Sequence, residues 1–291
     1  MIKSNKYSRI IAGTMTWGSW GKNLTKPKSI DLMNHCLANR ITTFDHADIY
    51  GGYTNEVHFG NAFAESGIPR ENIQLITKCG IQFVCDAREN KIGHYQYDKK
   101  YIIASVEQSL QNLKTDYIDF LLLHRPSPLM EPLEITDAIQ KLQEEGKIRD
   151  FGVSNFSPSQ IQMIESEIPV LGNQIEFSLT QDSTMYDGTL DDCITNKRMA
   201  MSWSPLGNYF KEENDRNQRI KIVLNKLCKK YNASEDQLLI AWILKHPAKV
   251  FPVVGTTTKE RLTASVTAQK IPLELEDWFL LLKASQGHPV P

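Results

Sequence analysis

Short apolar runs rich in β-branched residues alternate along the chain with longer stretches in which apolar side chains recur every three or four positions. The runs RIIAGTM, TTFDHAD, IQLITKC, YIDFLLLH, IRDFGVS, GNQIEFS, MAMSWSP and VFPVVGT carry the strand signature. Helical periodicity marks residues 28–40, 55–66, 101–113, 133–145, 158–166, 187–197, 216–231 with 234–246, and 259–268, with capping signals at Ser157-Pro158 and Ser234. Regular alternation of strand and helix requires parallel pairing, because each crossover brings the chain back to the same end of the sheet. YIDFLLLH and IQLITKC are apolar almost throughout, the pattern of strands buried on both faces. Eight such units predict an α/β fold, a closed (β/α)8 TIM barrel, as a single domain over residues 1–291.

The segment 205–219 turns polar after the expected seventh strand and is a candidate for a mobile ligand-covering loop. The pattern leaves the place of the tail after Ile271 open, beside the barrel mouth being one option. An open doubly wound sheet would show a similar alternation, but no G-x-G-x-x-G follows the first strand. GSWGK at 18–22 does not form a P-loop, since Thr16 stands at the first glycine position and Asn23 follows Lys22.

Composition narrows the function. The 33 basic and 34 acidic residues nearly cancel and no long block of one sign occurs, so neither nucleic acid nor an anionic membrane is an expected partner. The start MIKSNKYSRIIAG has too short an apolar stretch for a signal peptide, and WFLLL at 278–282 is too short to span a bilayer, which predicts a cytoplasmic protein. Five cysteines at 36, 79, 85, 193 and 228, with no C-x-x-C pair, argue against a disulfide framework and a structural zinc site.

In such a barrel the reactive groups gather where strands end at their carboxyl side. Asp45, Tyr50, Lys78 and His124 fall there on successive strands. A tyrosine hydroxyl titrates near ~10, and an adjacent ammonium favours its ionised form. Lys78 is the expected neighbour, Asp45 its carboxylate anchor, and His124 a hydrogen-bond donor that orients a substrate oxygen. The set describes protonation of a developing alkoxide.

FDHADIYGG, LITKCG, LLLHRP, GKIRDFGVSNFSP, NQIEFS, SWSPLG and VVGTTTKERL, in this order and at this spacing, make the chain similar to the aldo-keto reductases over nearly its whole length. DHADIYGGY and IGHYQYD resemble the YdhF-like branch. The resemblance implies Tyr50 as the general acid, with Lys78 and Asp45 lowering its pKa and His124 orienting the carbonyl. It also implies a nicotinamide dinucleotide bound without a Rossmann fingerprint. Ser154, Asn155 and Gln174 would hold the carboxamide, with Trp203 stacked on the ring. Ser204, Leu206 and Gly207 would approach the pyrophosphate, and backbone around Thr14 and Met15 would line the nicotinamide end. Thr256, Lys259 and Arg261 would meet the adenosine 2′-phosphate, which implies NADPH over NADH. Two positions depart from the family pattern: Gly255 stands where many members have a lysine, and Ser265 where an asparagine is common.

Other polar residues carry plainer expectations. Asp48 is expected to bind backbone amides, and His46 to point away from Asp45. Trp20 and Tyr53 are expected to wall a cavity for a small carbonyl substrate, while Phe83, Tyr95 and Tyr209 wall it or pack loops. Three functions stand open at this stage: an NADPH-dependent carbonyl reductase, a cofactor-binding regulatory subunit of the same fold with slow turnover, and a barrel hydrolase or metal-dependent lyase. The third needs strand-end metal ligands that the rim scarcely supplies, so no metal is expected.

Overall fold

The computed structural model describes residues 6–289. The outer limits of the expected domain, and the reading of the first five residues as part of no signal peptide, lie outside them. Eight parallel strands close into a barrel: β1 (Ile11–Gly13), β2 (Thr43–Asp45), β3 (Gln74–Cys79), β4 (Ile118–Leu123), β5 (Ile148–Ser154), β6 (Gly172–Glu176), β7 (Met199–Trp203) and β8 (Phe251–Val254). Each pairs with its neighbours in chain order, and β8 returns to β1 through Ile11 opposite Val253. All eight expected strands are present; IRDFGVS forms β5 in full, and the other strands are shorter than their apolar runs.

Helices α1 (Lys26–Ala38), α2 (Asn55–Glu65), α3 (Lys99–Leu113), α4 (Pro132–Glu144), α5 (Pro158–Glu165), α6 (Thr189–Thr195), α7 (Asp215–Tyr231), α8 (Glu235–Leu244) and α9 (Lys259–Thr267) surround the barrel. The expected caps form: Ser157 and Gln160 close a capping box on α5, and Ser234 and Gln237 another on α8. A further helix, α10 (Leu275–Gln286), packs along α7. Trp278 of α10 stacks on Trp242 of α8 at 4.8 Å and 5°, and each indole N–H donates to the other residue's carbonyl. The last turn of α10 meets the loop after β6, where Ser285 Oγ donates to Leu179 O.

Inside the barrel, Ile11, Ile76, Phe120, Leu122, Met199, Met201 and Val253 form one buried cluster. Gly152 in β5 makes room for it, since a Cβ there would stand 2.8 Å from the Phe120 ring and 2.6 Å from Gly172 O. Tyr7, from the segment before β1, caps this cluster, its hydroxyl donating to Asp119 O and Asp150 Oδ2. Beside it Asp119 accepts from Arg70 and from the Leu75 amide, while Asp150 also pairs with Lys6. The amino end of the barrel is thus sealed by paired charges.

Two features depart from the sequence reading. The stretch read as a loop between β3 and α3 contains a small antiparallel hairpin of Ile81–Gln82 with His94–Tyr95. The segment 205–219 is loop only as far as Asn214, because α7 begins at Asp215. Its base is tied down by Asn217, whose amide donates to the carbonyls of Asn208, Tyr209 and Glu212. Among the described residues no helix is long and apolar enough to cross a membrane.

Candidate active site

Asp45 ends β2, Lys78 is the penultimate residue of β3, and His124 directly follows β4, its amide bonded to Cys79 O. Tyr50 opens a four-residue helical turn, Tyr50–Tyr53, between β2 and α2. Gly51, Gly52 and Tyr53 all take positive φ, 63°, 66° and 67°. Glycine at the first two positions removes the steric penalty of that left-handed path, which returns the chain to α2 while Tyr50 faces the barrel axis.

The four side chains meet. The Lys78 ammonium donates to both Asp45 oxygens at 2.8 Å, to His46 O at 2.7 Å and to Tyr50 Oη at 3.3 Å. Lys78 is 1% exposed and Asp45 2%. Burial by itself lowers the lysine pKa, but attraction to Asp45 and the contact with Tyr50 outweigh it, so the ammonium is held protonated. The neighbouring His124 ring stands 6.1 Å from the Tyr50 ring, nearly perpendicular to it. Burial, with help from Lys78 and Arg125, drives its pKa well below the usual value. A neutral imidazole has one N–H to give and one lone pair to offer, and Nδ1 is buried without a partner among the described residues.

Tyr50 corrects one expectation. Burial raises its pKa; Lys78 opposes this, but Asp45, as a negative charge, pushes in the same direction as burial, and the net shift is upward. Lys78, helped by the charge of Arg125, favours the phenolate, and Asp45 serves that effect indirectly, by holding the ammonium in place.

A second network adjoins the first. Ser154 Oγ donates to Gln174 O, Asn155 Nδ2 donates to Ser154 Oγ, and Trp203 Nε1 donates to Asn155 Oδ1 at 2.9 Å. Gln174 Nε2 donates to Asp45 Oδ1 at 2.8 Å. That bond fixes the side-chain amide with its oxygen aimed elsewhere, and the oxygen accepts nothing among the described residues. An amide oxygen, a serine hydroxyl and an indole face in one cluster are the donors, acceptors and stacking surface that a nicotinamide carboxamide and ring require, so the residues fit the group. The Gln174–Asp45 bond was invisible in the sequence, because 129 positions separate the two.

The remaining expected cofactor residues lie on the same rim. Thr14 turns inward: its hydroxyl contacts Asp45 O and His46 Nδ1, its amide bonds Asp45 O, and its carbonyl accepts from Trp17 and Asn55. Met15 is 44% exposed. Ser204, Leu206 and Gly207 form the turn after β7, with the Gly207 amide on Ser204 O. Thr256 lies between β8 and α9, where its hydroxyl accepts from the Thr258 amide. Lys259 pairs with Asp31 at 2.6 Å, both side chains substantially exposed. Such a surface pair contributes roughly 0–1 kcal/mol, little beside the attraction of a phosphate dianion. Arg261 is exposed in the first turn of α9, and Ser265 donates back to its carbonyl.

Aromatic side chains roof Tyr50. Trp20 lies 6.3 Å from Tyr50 and 5.8 Å from Phe83, while Phe83 stacks on Tyr53 at 5.3 Å. Arg88 covers the Tyr53 ring. Tyr95 sits on the hairpin and Tyr209 is buried against Phe210 in the loop after β7.

His46 points away from Asp45 and packs edge-on against Phe59, fully buried and lowered to a pKa of about 3 by burial and Lys78. Asp48 accepts from one amide, Ile49, and from the hydroxyls of Tyr101 and Ser105. Burial, reinforced by Glu56, pushes it up to about 8. Arg125, which follows His124, escaped the sequence reading. Its signal was a cation beside the strand-end histidine, on the same rim. Among the described residues no group of three or more His, Cys, Asp or Glu is placed to hold a metal.

The model of the Aldo/keto reductase family matches residues 9–284. The uncharacterized oxidoreductase YcsN of Bacillus subtilis is 44% identical, over 98% of this chain and 97% of its own length. The oxidoreductase YdhF of Escherichia coli is 38% identical, over 98% and 96%. Among solved structures, the glycerol dehydrogenase from Gluconobacter oxydans superposes with a TM-score of 0.86 at 22% identity, over 99% of this chain and 95% of that one, a likeness of fold.

Proposed function

The chain belongs to the aldo/keto reductase family of NAD(P)H-dependent oxidoreductases, and we propose that it reduces an aldehyde or ketone to the alcohol with NADPH, Tyr50 giving the proton. The observation that carries the reading is the Lys78 ammonium, shared between the Asp45 carboxylate and the Tyr50 hydroxyl in a buried site.

When bound, the dinucleotide would supply the hydride that the carbonyl carbon takes. As the C=O π pair moves onto oxygen, the Tyr50 O–H breaks and its proton passes to that oxygen. Burial keeps the hydroxyl protonated until then, and Lys78 stabilises the phenolate left behind. Neutral His124 donates to the same oxygen and fixes its angle to Tyr50. Ser154, Asn155 and Gln174 would hold the carboxamide and Trp203 would stack on the ring, with Met15 beside Thr14 at that end. Ser204, Leu206 and Gly207 would hold the pyrophosphate. Thr256, Lys259 and Arg261 would hold the 2′-phosphate, for which a paired-donor guanidinium at a helix N-terminus is suited. Trp20 and Tyr53 exclude water from the reacting carbonyl.

Single-turnover oxidation of bound NADPH by a panel of neutral aldehydes tests the chemistry. Tyr50→Phe is expected to cost roughly 10²–10⁴ in rate, the usual weight of a positioned acid; unchanged turnover would refute the role. Arg261→Ala is expected to reduce the ratio of kcat/KM for NADPH over NADH, and an unchanged ratio removes the 2′-phosphate assignment.

A further inference from the structure

Five of the arginines are not fully exposed: Arg9, Arg70, Arg125, Arg198 and Arg219. Four of these commit guanidinium N–H groups to the protein. Arg9 donates to Lys249 O and Val250 O, and Arg219 to Ala284 O and Ser285 O. Arg70 bonds Thr115, Ile73 O, Tyr117 O and Asp119, while Arg198 is held by Glu165, Asp192 and Val170 O. Arg125 is the exception. Among the described residues its guanidinium donates no hydrogen bond and meets no carboxylate, and it lies over the face of Trp203, 5.3 Å from the ring centre.

Its backbone is fixed all the same. The Arg125 amide accepts no freedom from the loop, since it donates to Tyr97 Oη, and Tyr97 Oη donates back to Arg125 O. The side chain therefore projects from a held position next to His124, close enough that its charge acts on both His124 and Tyr50. Around it, Lys78 is already neutralised by Asp45 and His124 carries no charge. Next to His124, therefore, Arg125 is a positive charge that no carboxylate among the described residues answers. Keeping a partly desolvated charge unpaired costs stability, and the natural compensation is an anion with a planar pair of acceptors.

We infer that Arg125 is a specificity-determining residue that binds an anionic group, a carboxylate or a phosphate ester, on the carbonyl substrate. The inference rests on the reductase reading above. It makes the preferred substrate an aldehyde or ketone whose negative charge lies a few bonds from the carbonyl, so that Tyr50 and His124 hold the carbonyl oxygen while Arg125 holds the far end.

Matched substrates test this. Steady-state rates are measured with NADPH for butanal against succinate semialdehyde, and for glyceraldehyde against glyceraldehyde 3-phosphate. At least one charged member is expected to exceed its neutral partner in kcat/KM by tenfold or more, with the advantage shrinking as salt rises. Which pair shows it distinguishes carboxylate from phosphate. Arg125→Met is expected to collapse that ratio through KM for the charged substrate, and Arg125→Lys to restore part of it. Equal rates within both pairs, a ratio unmoved by Arg125→Met, or a variant that changes KM for NADPH alone would overturn the anion site and leave the reductase reading standing. If no aldehyde is reduced, the reductase reading fails instead. The anion site then stands or falls on calorimetric binding of succinate semialdehyde over butanal and its loss in Arg125→Met.

Discussion

Both ends of this barrel bury charge, and they treat it in opposite ways. At the amino end Arg70 and Asp119 form an ion pair in which every guanidinium nitrogen is bonded: to Thr115, to the carbonyls of Ile73 and Tyr117, and to Asp119 itself. Tyr7 closes over them with its hydroxyl on Asp119 O and Asp150. At the carboxyl end Lys78 and Asp45 are likewise paired, but they support groups that are not: a Tyr50 hydroxyl that only receives a hydrogen bond, a His124 Nδ1 with no partner, and an Arg125 guanidinium resting on an indole face. A fully satisfied end stabilises the fold; an end with unanswered donors has interactions left for a substrate.

Two tyrosine substitutions give the widest separation between the ends. Tyr50→Phe is expected to lower kcat/KM by about 10²–10⁴ with the melting temperature nearly unchanged, whereas Tyr7→Phe should keep kcat/KM within twofold and lower stability by about 1–2 kcal/mol for the lost charged hydrogen bond. Denaturant titration beside kinetics reads both, and a Tyr7→Phe enzyme with selectively lost activity would break the contrast. Asp119→Ala goes further at the same end: it leaves Arg70 without its counter-charge and is expected to cost on the order of 3 kcal/mol, again with activity retained by the folded fraction.

A smaller effect is expected at Asp48, beneath the site. Its folded pKa of about 8 lies above the ordinary carboxylate value of 3.8, so between those pH values the folded protein holds a proton that the unfolded chain releases. Its contribution to stability is complete below pH 3.8 and is lost as pH rises towards 8. Asp48→Asn, which still accepts from Ile49, should therefore raise the melting temperature at pH 8 by about 2–4 °C, roughly the effect of 1 kcal/mol in a domain of this size, with the gain vanishing near pH 4. A gain that persists at pH 4 would assign the effect to packing rather than to the proton.

The same contrast explains what the sequence could disclose. The eight strands and most helices were legible because burial imposes a period on each segment, and the caps because Ser157–Gln160 and Ser234–Gln237 act within one helical turn. The meeting of Asp45, Tyr50, Lys78 and His124 was legible because a parallel barrel brings strand ends together, so positions on separate elements reduce to one rim. The amino-end seal was not: Arg70 and Asp119 stand on different elements and Tyr7 precedes the first strand, with no period to relate them. Nor was the net direction of the Tyr50 shift, which depends on whether burial and Asp45 together outweigh Lys78. Arg125 appeared in the quoted motif LLLHRP, but a letter in a motif does not show that a guanidinium lacks partners. That requires its surroundings.

The parallel stack of Trp242 and Trp278 gives the molecule an optical address on its outer helices. Two indoles at that spacing couple their electronic transitions and so produce a near-ultraviolet circular dichroism signal that exists only while α10 is docked. Trp20 and Trp203 stand at the mouth, and their fluorescence responds to whatever enters it. Detachment of the last helix and occupation of the site can therefore be followed in one cuvette, by two signals, without attaching a label.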